Sequence, residues 1–426
     1  MGVMRERLIV FEDAGCRHFA PLTHTRPVYE LLLGAMSLRE RCEHAFDTTA
    51  ELICRPHLSP HLAATTGRRV NDLTVDRDHR PLLLLNGRVA DPHAVQALVG
   101  AHSEPAVYMN GDVLVAARIL PDLTPGLMIN LEANGFLLDP GMLKMPVQHV
   151  ATPRLVTALW ELPLLNGEFI AADVERWGPT PVPDLPAGVH RTGDSALVLA
   201  AGAELDPGVV LDLRAGPIVI GRGARVAGLS RLEGPLAVGA GTQIAGGRIR
   251  GGTTLGPQCR ITGELEAAIF HGYANKAHDG FIGHAYIGEW VNLGALTTNS
   301  DLKNTYGTVK VWRDGNLIDT GEKKVGAMIG DHVKTGIGTL LDTGAIIGMV
   351  ANIYGGSAVL ASKWFPSFSW GAPPKLTLHD PERALVTMAE VMRRRGIALT
   401  DEYRELIDAA FELTRPERTF AGIRDI

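Results

Sequence analysis

Toward the end of the chain a side chain suited to burial returns at every sixth position: Ile329, Thr335, Leu341, Ile347, Ile353 and Val359, with Gly330, Gly348 and Asp342 following three of them. A period of six belongs neither to a helix, whose faces repeat at about 3.6, nor to a strand, whose faces alternate at about 2. It predicts a solenoid of short flat faces, each recurring side chain pointing inward and glycine relaxing the corners. The same beat runs through Val226, Leu232, Val238 and Ile244, then Leu255, Ile261, Ile287 and Leu293. It begins near Leu199, Leu205 and Leu211. Polar interruptions at 270–281 and 297–326 break it. In the second, TVKVW and NLIDT flank Arg313-Asp314-Gly315, which predicts a β-hairpin turning at Asp-Gly. Such an excursion is expected to cover a site or grip a neighbouring subunit.

Upstream the pattern changes. Apolar runs at 8–11, 51–56, 81–88 and 106–112 alternate with stretches of helical spacing at 28–46 and 91–102. Strands alternating with helices predict a Rossmann-like α/β domain with a mainly parallel sheet. Such sheets bind ligands at the carboxyl ends of their strands, which points to the polar loop after the first strand. Arg17 and Arg26 lie there with paired donors for phosphate oxygens, although solvated loop arginines would read the same way. GPTPVPDLP at 178–186 reads as a stiff linker. The chain therefore divides into an α/β domain (1–180), a Pro-rich linker (181–195), the solenoid (196–371) and a helical tail (372–426). Two amphipathic helices separated by Gly396 make the tail and are expected to cap the open end of the solenoid.

Composition narrows the function. A net charge of -6 excludes a general nucleic-acid binder, and 48 glycines suit many tight corners better than a helix bundle. Cys16, Cys42, Cys54 and Cys259 form no CxxC pair and read as reduced thiols of a cytoplasmic protein. No apolar run approaches a membrane span. LIVF at 8–11, closed by Glu12 and Asp13, reads as a first strand rather than a signal peptide.

Acyl transfer to an amine needs a base for the amine proton, donors for the developing oxyanion and a slot for the acyl carrier. Histidine suits the base, and His278 in the first interruption is the candidate. The segment HDGFIGHAYIG, followed by NLGALTTNSDLKN, resembles the acetyltransferase half of the bifunctional UDP-N-acetylglucosamine pyrophosphorylase/glucosamine-1-phosphate N-acetyltransferases. The hexapeptide beat is similar to that of hexapeptide-repeat acyltransferases, which implies a left-handed parallel β-helix with three hexapeptides per coil. The resemblance implies that His278 is the base, Asn292 a substrate-contacting amide, Phe281 the occupant of a tyrosine position and Lys303 a lysine near the sugar phosphate. Arg250, in RIRGG, takes the place of a phosphate-binding arginine. Gly344, Gly348 and Ala351 would line an acetyl-CoA slot between adjacent subunits of a homotrimer. Glu266 stands where the family has a phosphate-binding lysine, and that turns attention to Lys276.

The first domain resembles a divergent branch of the same family, sugar nucleotidyltransferases that open with a strand, an acidic pair, PLTxTRPxxEL and a glycine. Here these are FED, PLTHTRPVYEL and Gly34, with ALWELPLLNGEFIAAD at 158–173 as a second match and FSWG at 368–371 as a third. This implies sugar-1-phosphate nucleotidyl transfer with a magnesium ion, with Asp112 in NGD or the NGR at 86–88 standing at the metal position. The family's GxGTRM loop is replaced by DAGCRHFAPLT, and its lysine by Arg26-Pro27. Lys323 and Lys324 read as a solvated pair.

Other classes compete with this reading. His271, His278 and His284 fall within one short segment, and γ-class carbonic anhydrases hold zinc with three histidines on the same kind of solenoid. A chain that performs nucleotidyl transfer only, or a non-catalytic assembly scaffold, would also carry these repeats.

Overall fold

The computed structural model describes residues 6–74, 79–101, 104–179, 184–354 and 362–424; Val359 and part of the linker lie outside them. The first domain is built on β1 (Arg7–Phe11), whose five residues are all buried. It runs parallel to β2 (Glu51–Ile53) on one side and β3 (Leu82–Asn86) on the other. Next come β5 (Val113–Ile119), antiparallel to β3, then β4 (Ala106–Asn110), antiparallel to β5, and β6 (Val147–His149), parallel to β4. The carboxyl ends of β1 to β4 therefore share one edge of a six-stranded sheet. Helices α2 (Ser59–Thr66), α3 (Pro92–Gly100), α4 (Thr124–Ala133) and α5 (Glu161–Arg176) complete the domain, together with α1 (Leu38–Phe46).

The helical spacing over 28–46 misleads for its first half. Only α1 is α-helical, started by a capping box in which Ser37 and Glu40 cap each other's backbone. Before it, Leu32–Leu33 and Met36–Ser37 pair as a tight hairpin about Gly34, whose φ is +75°. A side chain at Gly34 would lie 2.4 Å from Asp173 Oδ2, so only glycine turns there. Tertiary contacts override the local periodicity.

The left-handed parallel β-helix follows. Its first strand is His190–Thr192, and one of its faces stacks nine parallel strands from Leu197–Leu199 to Trp364–Phe365. The sixfold beat is its inward column. Val226, Leu232, Leu255, Ile287, Ile329, Leu341 and Ile347 are fully buried in one apolar cluster, with Leu199 packed partly against it. Burial at roughly 25 cal/mol per Å² of apolar surface makes this column the main source of solenoid stability.

The first domain lies along the outside of that stack. Ile269, Tyr286 and Met328 point outward from one solenoid face into the apolar cluster of the α/β domain. Tyr286 Oη accepts from the Leu32 N–H at 2.8 Å. Asn166 Nδ2 donates to Gly252 O and to Thr254 Oγ1, both at 2.8 Å, while its Oδ1 accepts from the Gly34 N–H. Thus the 158–173 segment clamps the two units together.

The tail does not act as an end cap. Of α6 (Pro381–Arg393), α7 (Asp401–Leu413) and α8 (Arg415–Phe420), α7 packs on α2 of the first domain. Tyr403 Oη meets His332 Nε2 of the solenoid at 2.8 Å. The helices wedge into the seam between domain and solenoid because their apolar faces find partners on both. All four cysteines are free and buried, and burial pushes the Cys16, Cys42 and Cys259 thiols up to about 12. Among the described residues no helix is long and apolar enough to cross a membrane.

The seam carries a pH dependence. Burial lowers His57 and His61 to about 4 and His332 to about 3, from 6.5. Above pH 6.5 these groups are neutral in both states and contribute nothing. Below it the unfolded chain binds protons that the folded chain refuses. Stability should therefore fall between pH 6.5 and about 4, by up to about 1.4 kcal/mol per pH unit for each group. Urea unfolding should show a midpoint that drops between pH 7 and pH 4.5; a flat profile would contradict the buried neutral imidazoles.

Candidate functional site

His278 stands exposed on a solenoid corner, between the strands Asn275–Lys276 and Phe281–Gly283. The corner is fixed from below by a residue whose place is unusual. Lys276 pairs with Ile261 of the preceding coil, in the column where every other coil puts an uncharged inward side chain. Its exposure is 1%, and its ammonium donates to the His278 carbonyl oxygen. Burial lowers its pKa to about 8. Lys276 is therefore an internal strut beneath His278 and cannot reach a phosphate in solvent. A lysine at a beat position, between Ile261 and Leu293, is the signal of this in the sequence.

The remaining substrate residues are spread over two faces. Arg250 is held by Glu264 at 3.1 Å and Glu266 at 2.7 Å, and Lys324 also binds Glu266 at 3.3 Å. The carboxylate in the lysine position thus neutralises the arginine expected to bind phosphate. Arg250 and Glu266 line a cavity of about 570 Å³ with Asp212, Arg214 and Glu233, in which both signs of charge are mixed. Phe281 lies half-buried with its N–H donating to Thr298 Oγ1 at 3.3 Å. The Lys303 ammonium donates to the Thr308 carbonyl within the excursion. Asn292 is exposed on the face next to the His278 corner, its Oδ1 accepting from Asn275 Nδ2 at 3.4 Å.

The three residues assigned to the acetyl-CoA slot do not form one within the chain. Ala351 is fully buried in the inward column, because its position in the repeat points it into the coil. A Cβ at Gly344 would lie 2.7 Å from Val309 Cγ1, so the excursion already covers it. That excursion is the expected hairpin, Lys310–Arg313 against Asn316–Asp319, turning at Asp314 (φ 50°) and Gly315 (φ 82°). It folds onto its own chain. Gly348 faces a cavity of about 340 Å³ walled by Trp160, Trp312, Trp364 and Phe420, with Arg17 and Arg313 among its lining. The Trp312 and Trp364 rings stack at 5.3 Å.

In the first domain the expected ligand edge is closed by its own ion pairs. Glu12, fully buried, accepts from Arg55 Nε at 3.0 Å and from the Val28 N–H at 3.0 Å. Asp13 holds Arg88 at 2.5 Å, just past the end of β3. Arg26 does not face this edge. It is buried against the solenoid, donating to both oxygens of Asp331 at 3.0 and 2.7 Å and to Glu289 at 3.1 Å. A phosphate there would have to displace two carboxylates. Arg17 is exposed and lines the aromatic cavity instead. Asp112 sits in the exposed hairpin turn between β4 and β5, and no group of three His, Cys, Asp or Glu able to hold a metal occurs among the described residues. Asp112 thus belongs to no three-ligand cluster; magnesium takes as few as one or two carboxylates, and Asp112 would be the one to hold it here. The three clustered histidines diverge as well: His271 Nδ1 meets Tyr286 Oη at 2.9 Å, His284 Nδ1 meets Asp301 Oδ2 at 2.7 Å, and His278 faces solvent.

Residues 8–178 match the family model described as sugar nucleotidyl transferase. A bifunctional sugar-1-phosphate nucleotidylyltransferase/acetyltransferase of Sulfurisphaera tokodaii is 39% identical over 94 residues, 22% of this chain and 23% of the relative. The bifunctional protein GlmU of Trichodesmium erythraeum is 32% identical over 115 residues, 26% of this chain and 20% of the relative. The matches thus span about a quarter or less of those relatives' length. Among solved structures, a UDP-N-acetylglucosamine acyltransferase of Arabidopsis aligns at 12% identity and a TM-score of 0.23, covering 56% of this chain and 98% of that one. One of Campylobacter jejuni aligns at 13% and 0.24, covering 56% and 85%.

Proposed function

We propose that the chain is a sugar-phosphate enzyme whose solenoid transfers an acetyl group from acetyl-CoA to the amine of an amino-sugar 1-phosphate. The observation that carries this reading is the His278 corner, an exposed imidazole on a rigid hexapeptide coil, braced by a buried lysine at its own carbonyl. His278 takes the amine proton as the nitrogen attacks the thioester carbonyl; the C–N bond forms, the C–S bond breaks, and the thiolate leaves. Asn292 on the adjoining face is the amide that orients the sugar.

The active assembly is a homotrimer with the site between chains. Leu296 and Ile337, 57% and 77% exposed, stack on the same solenoid corner above His278, and an apolar ridge of that kind is what a neighbouring chain covers. The free thiols favour a cytoplasmic protein. A second activity, sugar-1-phosphate nucleotidyl transfer by the first domain, is favoured by the family match over 8–178. The self-paired Glu12–Arg55 and Asp13–Arg88 weigh on the other side.

The test is to incubate the full chain with acetyl-CoA and a panel of amino-sugar 1-phosphates, and separately with UTP and sugar 1-phosphates. Mass spectrometry should find an N-acetylated sugar phosphate in the first set. No acetylated product from any acceptor would end the reading. Nucleotide sugar in the second set alone would replace it with nucleotidyl transfer.

A further inference from the structure

A cleft of about 630 Å³ separates the solenoid wall from the end of α6, and its lining contains no carboxylate. Arg260 and Lys334 reach it from the solenoid, Arg394 and Arg395 from the tail, with Gln258, Asn275 and Asn292 between them and Trp290 at one side. The wall is one outward column of successive coils: Arg260 pairs with Asn275, Asn275 with Asn292, and Asn292 with Lys334.

Among the described residues, none of the four cations has a carboxylate within ion-pair distance. Arg260 donates only to the carbonyls of Gly241, Gln258 and Cys259, at 3.0 to 3.1 Å. Arg395 donates to Asn275 Oδ1 at 2.6 Å. Carboxylates on the same elements are engaged elsewhere, Glu390 by Arg393 at 2.8 Å and Glu289 by Arg26 at 3.1 Å. Burial lowers Lys334 to about 8, and Arg260 and Arg395 are pulled down by burial and by cationic neighbours. Four converging positive charges without a counter-charge repel one another, and a protein retains such an arrangement where an anion fills it.

We infer that this cleft binds a diphosphate ester. The two cationic walls take one phosphate each, the intervening amides bind hydroxyls or carbonyls of the attached group, and the Trp290 ring, 4% exposed, closes one side of the cleft. That ring is held by Tyr273, stacked at 4.3 Å. Acyl-CoA and a nucleotide sugar both present this chemistry. The cleft shares Asn292 with the acceptor site proposed above, but its four cations do not depend on the acetyl-transfer reading.

Calorimetric titration of the full chain tests it, with inorganic pyrophosphate, coenzyme A and a UDP-sugar as separate probes and orthophosphate for comparison. Pyrophosphate and one of the two esters should bind at least tenfold more tightly than orthophosphate, and the ester that binds identifies the source. Lys334→Ala and Arg395→Ala should each weaken that binding about tenfold or more. Arg225→Ala, a distant exposed arginine in a long pair with Asp206 at 3.6 Å, should leave it unchanged. Lys334 lies on the outer wall, so its variant keeps the fold even where Arg395→Ala loosens the tail. Absence of diphosphate binding at about 1 mM, or binding that Lys334→Ala leaves intact, overturns the inference. His278→Ala should bind normally, so loss of binding and loss of acetyl transfer report separately.

Discussion

Asp331→Ala should destabilise the chain by about 3–5 kcal/mol and loosen the first domain from the solenoid. Asp331 is 1% exposed and accepts from Arg26 at 3.0 and 2.7 Å, from Thr25 Oγ1 at 2.5 Å and from the Glu289 N–H at 2.8 Å. Burial alone would raise its pKa, yet the Arg26 guanidinium outweighs that and holds it below the usual carboxylate value. Removing the carboxylate strands a buried guanidinium whose other carboxylate partner, Glu289, is itself pushed up by burial. The large loss comes from that uncompensated charge rather than from the worth of the pair. Arg26→Met combined with Asp331→Leu should therefore recover most of the stability, since apolar replacement of a whole buried pair is close to neutral. Urea unfolding followed at the tryptophans and by far-ultraviolet circular dichroism should show two separated transitions for Asp331→Ala. A loss under about 1 kcal/mol would mean that the apolar seam around Tyr286 and Met328 alone fastens the domain.

This ion pair explains why one arginine was misread from the sequence. Arg26 lies in a polar loop after a buried strand, which is where a sheet of this class meets its ligand. Nothing local indicates that its partner is 305 residues away. The solenoid, in contrast, was legible because each coil repeats the same steric demand, an inward side chain at every corner-to-corner step. The beat residues from Leu205 to Ile353 are buried as the period requires. The hairpin at Asp314-Gly315 was legible for a similar reason, since two adjacent residues with positive φ leave few sequences to choose from.

The candidate site was legible only in part. His278 and Asn292 lie on an exposed corner and its adjoining face, as spacing within a coil allows. Lys276, read as a phosphate ligand, points into the coil because it occupies an inward position, and Ala351 is interior for the same reason. The basic cleft left almost no trace. Arg260 and Lys334 come from separate coils and Arg395 from the turn just past α6, and only their shared place one residue before an inward position aligns the first two. Strand β5 escapes notice because NGD at 110–112 reads equally as a ligand loop and as the turn of a hairpin, and β6 because VQH at 147–149 is short and largely exposed.

Acetyl transfer by this solenoid turns on whether the imidazole at this corner moves a proton. Acetyl transfer to the best acceptor of the panel, measured for wild type and His278→Ala side by side, tests it most directly. General-base removal should lower kcat by about 10²- to 10⁴-fold. The melting temperature should be unchanged, because the ring is exposed and supports no packing. His278→Gln should be as slow as His278→Ala, since an amide keeps hydrogen bonds but takes no proton at neutral pH. Equal rates in wild type and His278→Ala would contradict the assignment and move the base elsewhere on the solenoid.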